Sequence, residues 1–502
     1  MDDQRLRELI HLARSYYNLG RDLEPWFDFE HVAPEERDAI LEAVIPHRGQ
    51  IQDEGQGVGP DVDVTWVDRI QESDWHIWRA HERYLRFIKG RQDAMVGSIA
   101  SESESILRRL PDPHHAAFKG KGLVIGYVQS GKTANFTAVS ARAVDAGYRM
   151  VIVLSGIHNN LRNQTQRRLE RELTGRLMGD EVGIERPEHG RGWYHLTERG
   201  EEDFANVHDP TILESRLPIL AVIKKNCTIL RQMLEWVDSV DDTTLGRCPV
   251  LIIDDEADQA SVNTGHDRPE EIPEEEEEVS PSTTNALIRE FISKLPRVAY
   301  LAYTATPFAN ILMDPGAEDR EVGDDLYPND FIWQLPRPDG YTGTRELFGA
   351  MEYEWREVLR LIPDEDMSSL RPPPRNRNNW HPEISRTMID AIYEFILAGA
   401  VRVHRGQGNQ HHTMLVHTIH YKECHGRVTE YLKPHVEGLK GAIAYGGEAV
   451  QELRQVWGQG YHRSLDDADQ IGFDDIEPYI ADLVNSLQVL ELNSDSDDKL
   501  DF

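Results

Sequence analysis

Cysteine is scarce in this chain, since its 502 residues include only Cys227, Cys248 and Cys424. The three are odd in number and widely spaced, so they indicate no disulfide framework and fit a reducing compartment. No apolar run approaches the roughly 18 residues that a membrane helix needs. The first four residues lack the charged-then-apolar pattern of a signal sequence. We therefore predict a cytoplasmic protein with no membrane partner.

Basic residues are also in deficit. The chain has 54 lysines and arginines against 88 aspartates and glutamates, a formal net charge of −34. So acidic a chain is not expected to coat nucleic acid indiscriminately, although a local basic groove is still compatible with it. Some of these aspartates and glutamates lie at 265–281, which we interpret as a solvated acidic loop. The alternative is a decoy for nucleic acid or a dock for a basic partner.

The chain does carry a complete phosphate-binding pattern at 126–133, which reads G-Y-V-Q-S-G-K-T. An apolar run at 123–125 precedes it and a helical stretch at 134–146 follows it, which is the context that a P-loop requires. The alternative is a chance glycine-rich turn. The residues expected to bind ATP are Gly126, Gln129, Ser130, Gly131, Lys132 and Thr133. Among these, Lys132 would reach the β- and γ-phosphates and Thr133 would bind Mg²⁺.

Apolar periodicity predicts a helical N-terminal region at 1–110, with helices at 5–17 and 75–99 and a polar break at 52–60. Residues 111–325 alternate short buried strands with helices. That alternation predicts an α/β fold, a RecA-like ATPase lobe with a parallel sheet and helices on both faces. The strands expected in it are 149–154, 217–223, 249–253 and 297–303.

The remaining sequence is predicted to form two further parts. Residues 326–395 are expected to be a mixed helical connector or insertion. Residues 396–502 are expected to begin a second, partial RecA-like lobe. A helix is predicted at 390–403 and a strand at 412–419, which would open that lobe.

An acidic cluster follows the predicted strand at 249–253, where the sequence reads D-D-E-A-D. Ligands of such sheets bind at the carboxyl ends of the strands, so these side chains are expected at the nucleotide. Asp255 would hold Mg²⁺ together with Thr133, because Mg²⁺ prefers few carboxylates beside phosphate oxygens and water. Glu256 would orient or deprotonate the attacking water. The alternative is an acidic strand end without a metal.

Two hydroxyl residues, Thr304 and Thr306, follow the strand predicted at 297–303. They are interpreted as a relay that couples the ATP state to the lobes through the pair Asp255 and Glu256. The alternative is a capped turn with no such role.

Basic residues follow two of the predicted strands, where a nucleic-acid backbone could bind. Arginine and lysine suit phosphate contacts, although a solvated helix face would have the same composition. The candidate DNA contacts are Arg162, Arg167, Arg168, Lys224 and Lys225.

The order of P-loop, D-E-A-D and T-A-T resembles superfamily 2 helicases and translocases, in which two RecA-like lobes clamp ATP. Further blocks are similar to the Z-one domain family. They lie at 126–136, 154–156, 160–165, 224–226, 303–311, 325–328 and 395–402. Members of that family are bacterial, helicase-like proteins that are often labelled putative endonucleases. They are encoded beside DNA methyltransferases, nucleases and MutL/Hsp90-like ATPases.

The resemblance implies an ATP-dependent DNA translocase or motor subunit of a restriction or anti-phage defence system. The alternatives are an ATP-gated scaffold that recruits a nuclease or MutL-like partner, and an endonuclease. Similar proteins continue past this length and carry arginines that complete the ATP site, so we expect a truncated chain or one that relies on a partner. An arginine at the γ-phosphate can be worth about 10³–10⁵ in rate. Slow hydrolysis by the chain alone is therefore expected.

Overall fold

The structure is a computed structural model. It describes residues 32, 56–59, 64–128, 131–156, 159–178, 182–184, 192–200, 203–204, 209–259, 261, 281–311, 318–319, 323–338, 341–344, 347, 360–372, 380–419, 421–444, 446–459 and 471–493. The chain divides into two compact units, Met1–Tyr341 and Thr342–Phe502. The finer division into four parts stays a prediction.

The described residues of the first unit are built around a twisted sheet of eight strands. Its strands are β1 (Gln56–Val58), β2 (Phe118–Ile125), β3 (Met150–Ser155), β4 (Tyr194–His195), β5 (Ile219–Lys224), β6 (Val250–Asp255), β7 (Arg297–Thr304) and β10 (Phe331–Gln334). Their order is β1-β10-β2-β7-β6-β3-β5-β4, and β8 (Glu318–Asp319) and β9 (Gly323–Asp324) form a separate antiparallel pair. Every neighbouring pair in the large sheet is parallel except β1 with β10.

Helices connect the parallel strands of this unit. They are α1 (His76–Arg83), α2 (Asp93–Arg109), α3 (Lys132–Asp145), α4 (Asn159–Leu169), α5 (Cys227–Asp238), α6 (Asp242–Gly246), α7 (Pro281–Lys294) and α8 (Phe308–Ile311). Short 3-10 or π turns lie at Thr65–Arg69, Glu72–Asp74, Tyr84–Ile88, Glu170–Thr174 and Pro210–Glu214.

The central strands are buried on both faces because their side chains alternate between two apolar cores. In β3, Val151 and Val153 pack into one core together with Phe136 of α3. Met150 and Ile152 pack into the other core, on the opposite face, with Leu230 of α5. The predicted α/β fold, a parallel sheet with helices packed on both faces, is confirmed.

The four predicted strands are confirmed to within two residues at each end. The predicted polar break at 52–60 contains β1, so that interpretation is wrong for 56–58. The reason is that an edge strand needs backbone pairing more than apolar alternation, and β1 pairs with β10. The predicted helix at 75–99 is two helices, α1 and α2, with a π turn after the first. The predicted helix at 5–17 and the acidic run at 270–278 lie outside the described residues.

The described part of the second unit is helical. Its helices are α9 (Asp364–Leu370), α10 (Arg386–His404), α11 (Lys422–Ala444), α12 (Glu448–Gly458) and α13 (Phe473–Ser486). The predicted helix at 390–403 is confirmed as part of α10. The predicted strand at 412–419 is wrong for this structure, since no described residue pairs with its backbone as a strand. The alternating apolar residues of this segment do contribute to the core, because Met414 and Val416 pack against the helices. That this region begins a second RecA-like lobe stays a prediction.

Within the described segments, no helix is both long enough and apolar enough to span a bilayer.

Candidate nucleotide site

The P-loop pattern lies between β2 and α3, as the sequence predicts. Gly131 precedes the helix with a φ of 93°, a left-handed conformation that glycine adopts without steric cost. At Gly126, an added Cβ would lie 2.7 Å from Cγ of Lys132, so the lysine stem passes directly over the glycine. Gln129 and Ser130 lie outside the described residues. The first N–H groups of a helix such as α3 have no intrahelical acceptor and can bind an anion.

The sheet brings the three sequence blocks together at one edge. Strand β7 lies between β2 and β6, with Ile125 beside Thr304 and Asp255 beside Tyr303. All three strands run in parallel, so the residues that follow them meet where ligands of such sheets bind. Lys132 and Glu256 approach across this edge, with Nζ 3.8 Å from Oε1. The lysine side chain is only 8% exposed, whereas that of Glu256 is 41% exposed.

Asp255 ends β6 beside this pair. Burial and, to a smaller extent, the neighbouring Glu256 carboxylate raise the pKa of its carboxyl to about 6, against the opposing effects of Lys225 and Lys132. A divalent cation placed there would favour the ionised carboxylate. Thr133 lies in the first turn of α3, and its carbonyl accepts a bond of 2.7 Å from the Thr137 hydroxyl. A carboxylate and a hydroxyl are oxygen donors of the kind that Mg²⁺ takes beside phosphate oxygens and water, so the chemistry of Asp255 and Thr133 is compatible with that ion.

Glu256 has an unusual backbone. Its φ is 53°, and among the residues that the structure describes it is the only one other than glycine with a positive φ. Such a conformation costs about 1–3 kcal/mol and persists where the surroundings hold it. Two bonds fix the turn that it opens, from the Ala257 amide to the Tyr303 carbonyl (3.0 Å) and from the Gln259 amide to the Glu256 carbonyl (2.9 Å).

The two threonine hydroxyls bind Asp258, which sequence reasoning did not single out. Thr304 donates to Oδ1 at 2.8 Å and Thr306 donates to Oδ2 at 2.7 Å. The Thr306 amide also donates to the Thr304 hydroxyl at 2.9 Å. The expected relay through Asp255 and Glu256 is thus corrected, since both described hydroxyl contacts go to Asp258. Its place as the last acid of D-E-A-D was the available signal.

A second link joins the P-loop helix to β7. The buried Tyr303 hydroxyl donates to Oδ1 of Asn135 at 2.8 Å. Phe136 packs edge-on against the same tyrosine ring, with centroids 5.6 Å apart. A displacement of α3 would therefore shift Tyr303 and the end of β7, which carries Thr304.

Two of the predicted DNA contacts are buried, which corrects the expectation for them. Arg162 donates to the carbonyls of Val222 (3.1 Å) and Glu198 (2.6 Å), so its guanidinium is used inside the fold. The Lys225 side chain is fully buried and pairs with Asp254. A surface role was predicted because composition alone does not show which face of α4, or which end of β5, is covered.

The other three predicted contacts are at the surface. Arg167 is exposed on α4. Arg168 is one-third exposed, and its Nε lies 3.3 Å from Oε2 of the buried Glu172. Lys224 is half-buried at the end of β5. Of these, Arg167 has the exposure that a phosphate contact needs.

The second unit holds a cavity of about 780 Å³. It is lined by α10, α11, α13 and the extended segments 411–419 and 487–492, and its walls include Phe395, Met414 and Leu483. Across the described stretches of both units, no group of three or more His, Cys, Asp or Glu side chains is arranged to hold a metal ion.

No curated protein matches this chain. Among solved structures, it is similar to the helicase domain of Hef from Pyrococcus furiosus, with 15% sequence identity, coverage of 76% of this chain and 67% of that chain, and a TM-score of 0.25. Residues 387–502 match the family model of the Z1 domain. Of the blocks similar to the Z-one family, 395–402 lies within that match and the earlier ones precede it. The predicted resemblance to the Z1 domain is confirmed over residues 387–502.

Proposed function

We propose that this chain is an ATP-dependent, helicase-like motor subunit that acts on DNA in a bacterial restriction or antiviral defence system. The observation that carries the proposal is the approach of Lys132 to Glu256, 3.8 Å apart at the edge where β2 and β6 end. A phosphate-binding lysine and a residue that orients the attacking water are two of the parts that P-loop ATPases share.

Each residue of the site has a distinct role in this proposal. Gly131 and the N-terminus of α3 bind phosphate oxygens, and Gln129 and Ser130 complete the loop. Lys132 holds the β- and γ-phosphates. Mg²⁺ would supply charge neutralisation on the phosphate oxygens, held by Thr133 and Asp255. Glu256, the more exposed of the pair, orients the water that attacks the terminal phosphate.

Thr304 and Thr306 are proposed to report the state of the site to the rest of the sheet. Both bind Asp258, which stands two residues after Glu256 in the same turn. A shift of that turn on hydrolysis would break or lengthen these bonds. The DNA contact is proposed at Arg167, with the adjacent Arg168 and with Lys224, at the end of β5, as further contacts. A nuclease, a MutL/Hsp90-like ATPase and a methyltransferase are the proposed protein partners, on the strength of the Z1 resemblance.

The first test is ATP binding by calorimetry, with and without Mg²⁺, for the wild type and Lys132→Ala. We expect Mg²⁺-dependent binding that Lys132→Ala weakens by at least about tenfold, because a charge-assisted phosphate contact is lost. Lys119→Ala is the matched control, since Lys119 is an exposed lysine at the opposite end of β2. Failure of the wild type to bind, or equal binding by Lys132→Ala, would contradict the proposal.

A further inference from the structure

Lys225 is a buried cation directly behind the proposed catalytic turn. It follows the last residue of β5, and its side chain and that of Asp254 are both fully buried. Its Nζ lies 2.8 Å from Oδ1 of Asp254 and donates a bond of 2.6 Å to the main-chain carbonyl of Glu256. The other carboxylate oxygen of Asp254 accepts a bond from the Tyr300 hydroxyl. The ammonium therefore joins the end of β5 to two residues around the end of β6.

The bond from Lys225 is made to the carbonyl of a residue with an unfavourable backbone conformation. Glu256 has a φ of 53°, and the same carbonyl accepts the Gln259 amide at 2.9 Å. A charged donor makes a stronger bond than a neutral one, and burial protects that bond from competition with water. The carboxylate of this left-handed residue is the group that lies 3.8 Å from Nζ of Lys132.

We propose that Lys225 is a positioning residue that fixes the turn carrying Glu256, and thereby sets the place of the water-orienting carboxylate. The inference rests on the proposed ATPase function. Lys225 does not touch the nucleotide in this account. It acts through the Glu256 main chain, while Asp254 balances the charge that the lysine brings into the interior.

A plain Lys225→Met variant would leave Asp254 buried and unpaired, so the test uses the neutral pair Lys225→Met with Asp254→Asn. A displaced catalytic group can cost about 10²-fold in rate. We expect kcat to fall about 10- to 100-fold while the Kd for ATP with Mg²⁺ stays within about twofold. The matched control is Arg199→Met with Glu170→Gln, which removes an ion pair of the same unit between a buried carboxylate and a partly buried arginine, away from Glu256. It should leave kcat unchanged.

A double-mutant cycle separates positioning from general damage. In a Glu256→Gln background, the Lys225→Met, Asp254→Asn pair should cause little further loss of kcat, because both changes disable one carboxylate. Losses that multiply would show that Lys225 supports the enzyme in another way and would overturn the proposal.

A readout independent of turnover keeps this inference distinct from the proposed function. Hydrogen–deuterium exchange over residues 250–259 should rise in the Lys225→Met, Asp254→Asn protein and stay unchanged in the Arg199→Met, Glu170→Gln control. Unchanged exchange in the first protein would overturn the positioning role. Raised exchange together with a wild type that neither binds nor hydrolyses ATP would support the role of Lys225 in the turn and refute the ATPase proposal instead.

Discussion

The Nζ of Lys132 and the Oε1 of Glu256 lie 3.8 Å apart, although one residue opens the helix after β2 and the other follows β6. Strand β7 separates these two strands in the sheet, and its own end carries Thr304. The contact shows that the P-loop and the acidic turn share one site. It also predicts that substitutions in the P-loop will affect ATP binding, whereas substitutions in the acidic turn will affect ATP hydrolysis.

Glu256→Gln separates catalysis from binding. The variant keeps the size of the side chain but loses the charge that would orient and activate water, so we expect unchanged ATP affinity. Turnover should fall about 10²–10⁴-fold, the usual contribution of general base catalysis. Steady-state hydrolysis and equilibrium binding measure the two effects.

The same variant tests the alternative of an ATP-gated scaffold. In a scaffold, Glu256→Gln would leave both ATP binding and partner recruitment intact, with no turnover in the wild type to lose. Wild-type turnover that survives in Glu256→Gln would place the catalytic base elsewhere.

Gly126→Ala should weaken nucleotide binding by about tenfold or more. The new Cβ would lie 2.7 Å from Lys132 Cγ, so the lysine stem must move from its path across the loop. Gly97→Ala is the matched control, because Gly97 lies in α2 with no neighbouring atom within 4 Å of the added Cβ. That control should keep wild-type ATP affinity and gain about 0.5–1 kcal/mol of stability. Equal ATP affinities for the two variants would contradict the geometry given for the loop.

Thr304→Val and Thr306→Val should differ in stability although both remove a bond to Asp258. Thr304 is buried, and its loss also leaves the Thr306 amide without its acceptor. We expect a loss of about 1–3 kcal/mol in the free energy of unfolding for Thr304→Val. Thr306 is exposed, so its change should stay within about 0.5 kcal/mol. Urea unfolding measures both, and equal losses would show that burial does not set the difference.

Arg167→Glu should weaken DNA binding for all sequences alike and lower the dependence of affinity on salt, as expected for a phosphate contact. Arg247→Glu is the control with the same change of charge, since Arg247 is exposed just before β6, at the opposite end of the sheet. Fluorescence anisotropy at several salt concentrations provides the measurement. Equal weakening by both variants would indicate a general charge effect and place DNA elsewhere.

Asp145 should make the free energy of unfolding depend on pH. Its carboxylate accepts the amides of Ile77 (3.1 Å) and Trp78 (2.9 Å), and burial raises its pKa to about 7, against the opposing effect of Arg142. The folded-state pKa is therefore above the unfolded value of about 3.9. The contribution of Asp145 is fully present below that unfolded value and is lost as pH rises through about 7.

Urea unfolding of the wild type and Asp145→Asn from pH 4 to pH 8 tests this sign. The stability of the wild type relative to the variant should decline with rising pH and level off above neutrality, by about 1.4 kcal/mol for each unit of pKa shift at most. A difference that is constant across this range would contradict the assignment.

The sequence predicts the central strands and the P-loop because continuous apolar runs and the spacing of glycines are local signals. It also predicts that Lys132 and Glu256 share a site, because parallel strands end at one edge. It does not predict that Arg162 and Lys225 are buried, since that depends on which segments cover α4 and β5. The positive φ of Glu256 and the role of Asp258 were missed for a similar reason, because both are set by contacts between β6 and β7. β1 escaped notice because a short edge strand has little apolar pattern.

The most direct test of the central claim is steady-state ATP hydrolysis by this chain, with and without single- and double-stranded DNA, and with Lys132→Ala as the blank. We expect Mg²⁺-dependent turnover that is slow for the chain alone, rises only modestly when DNA is added, because the completing arginines are expected from a partner or a longer chain, and disappears in Lys132→Ala. Turnover that persists in Lys132→Ala, or a wild type that shows none with either form of DNA, would contradict the claim.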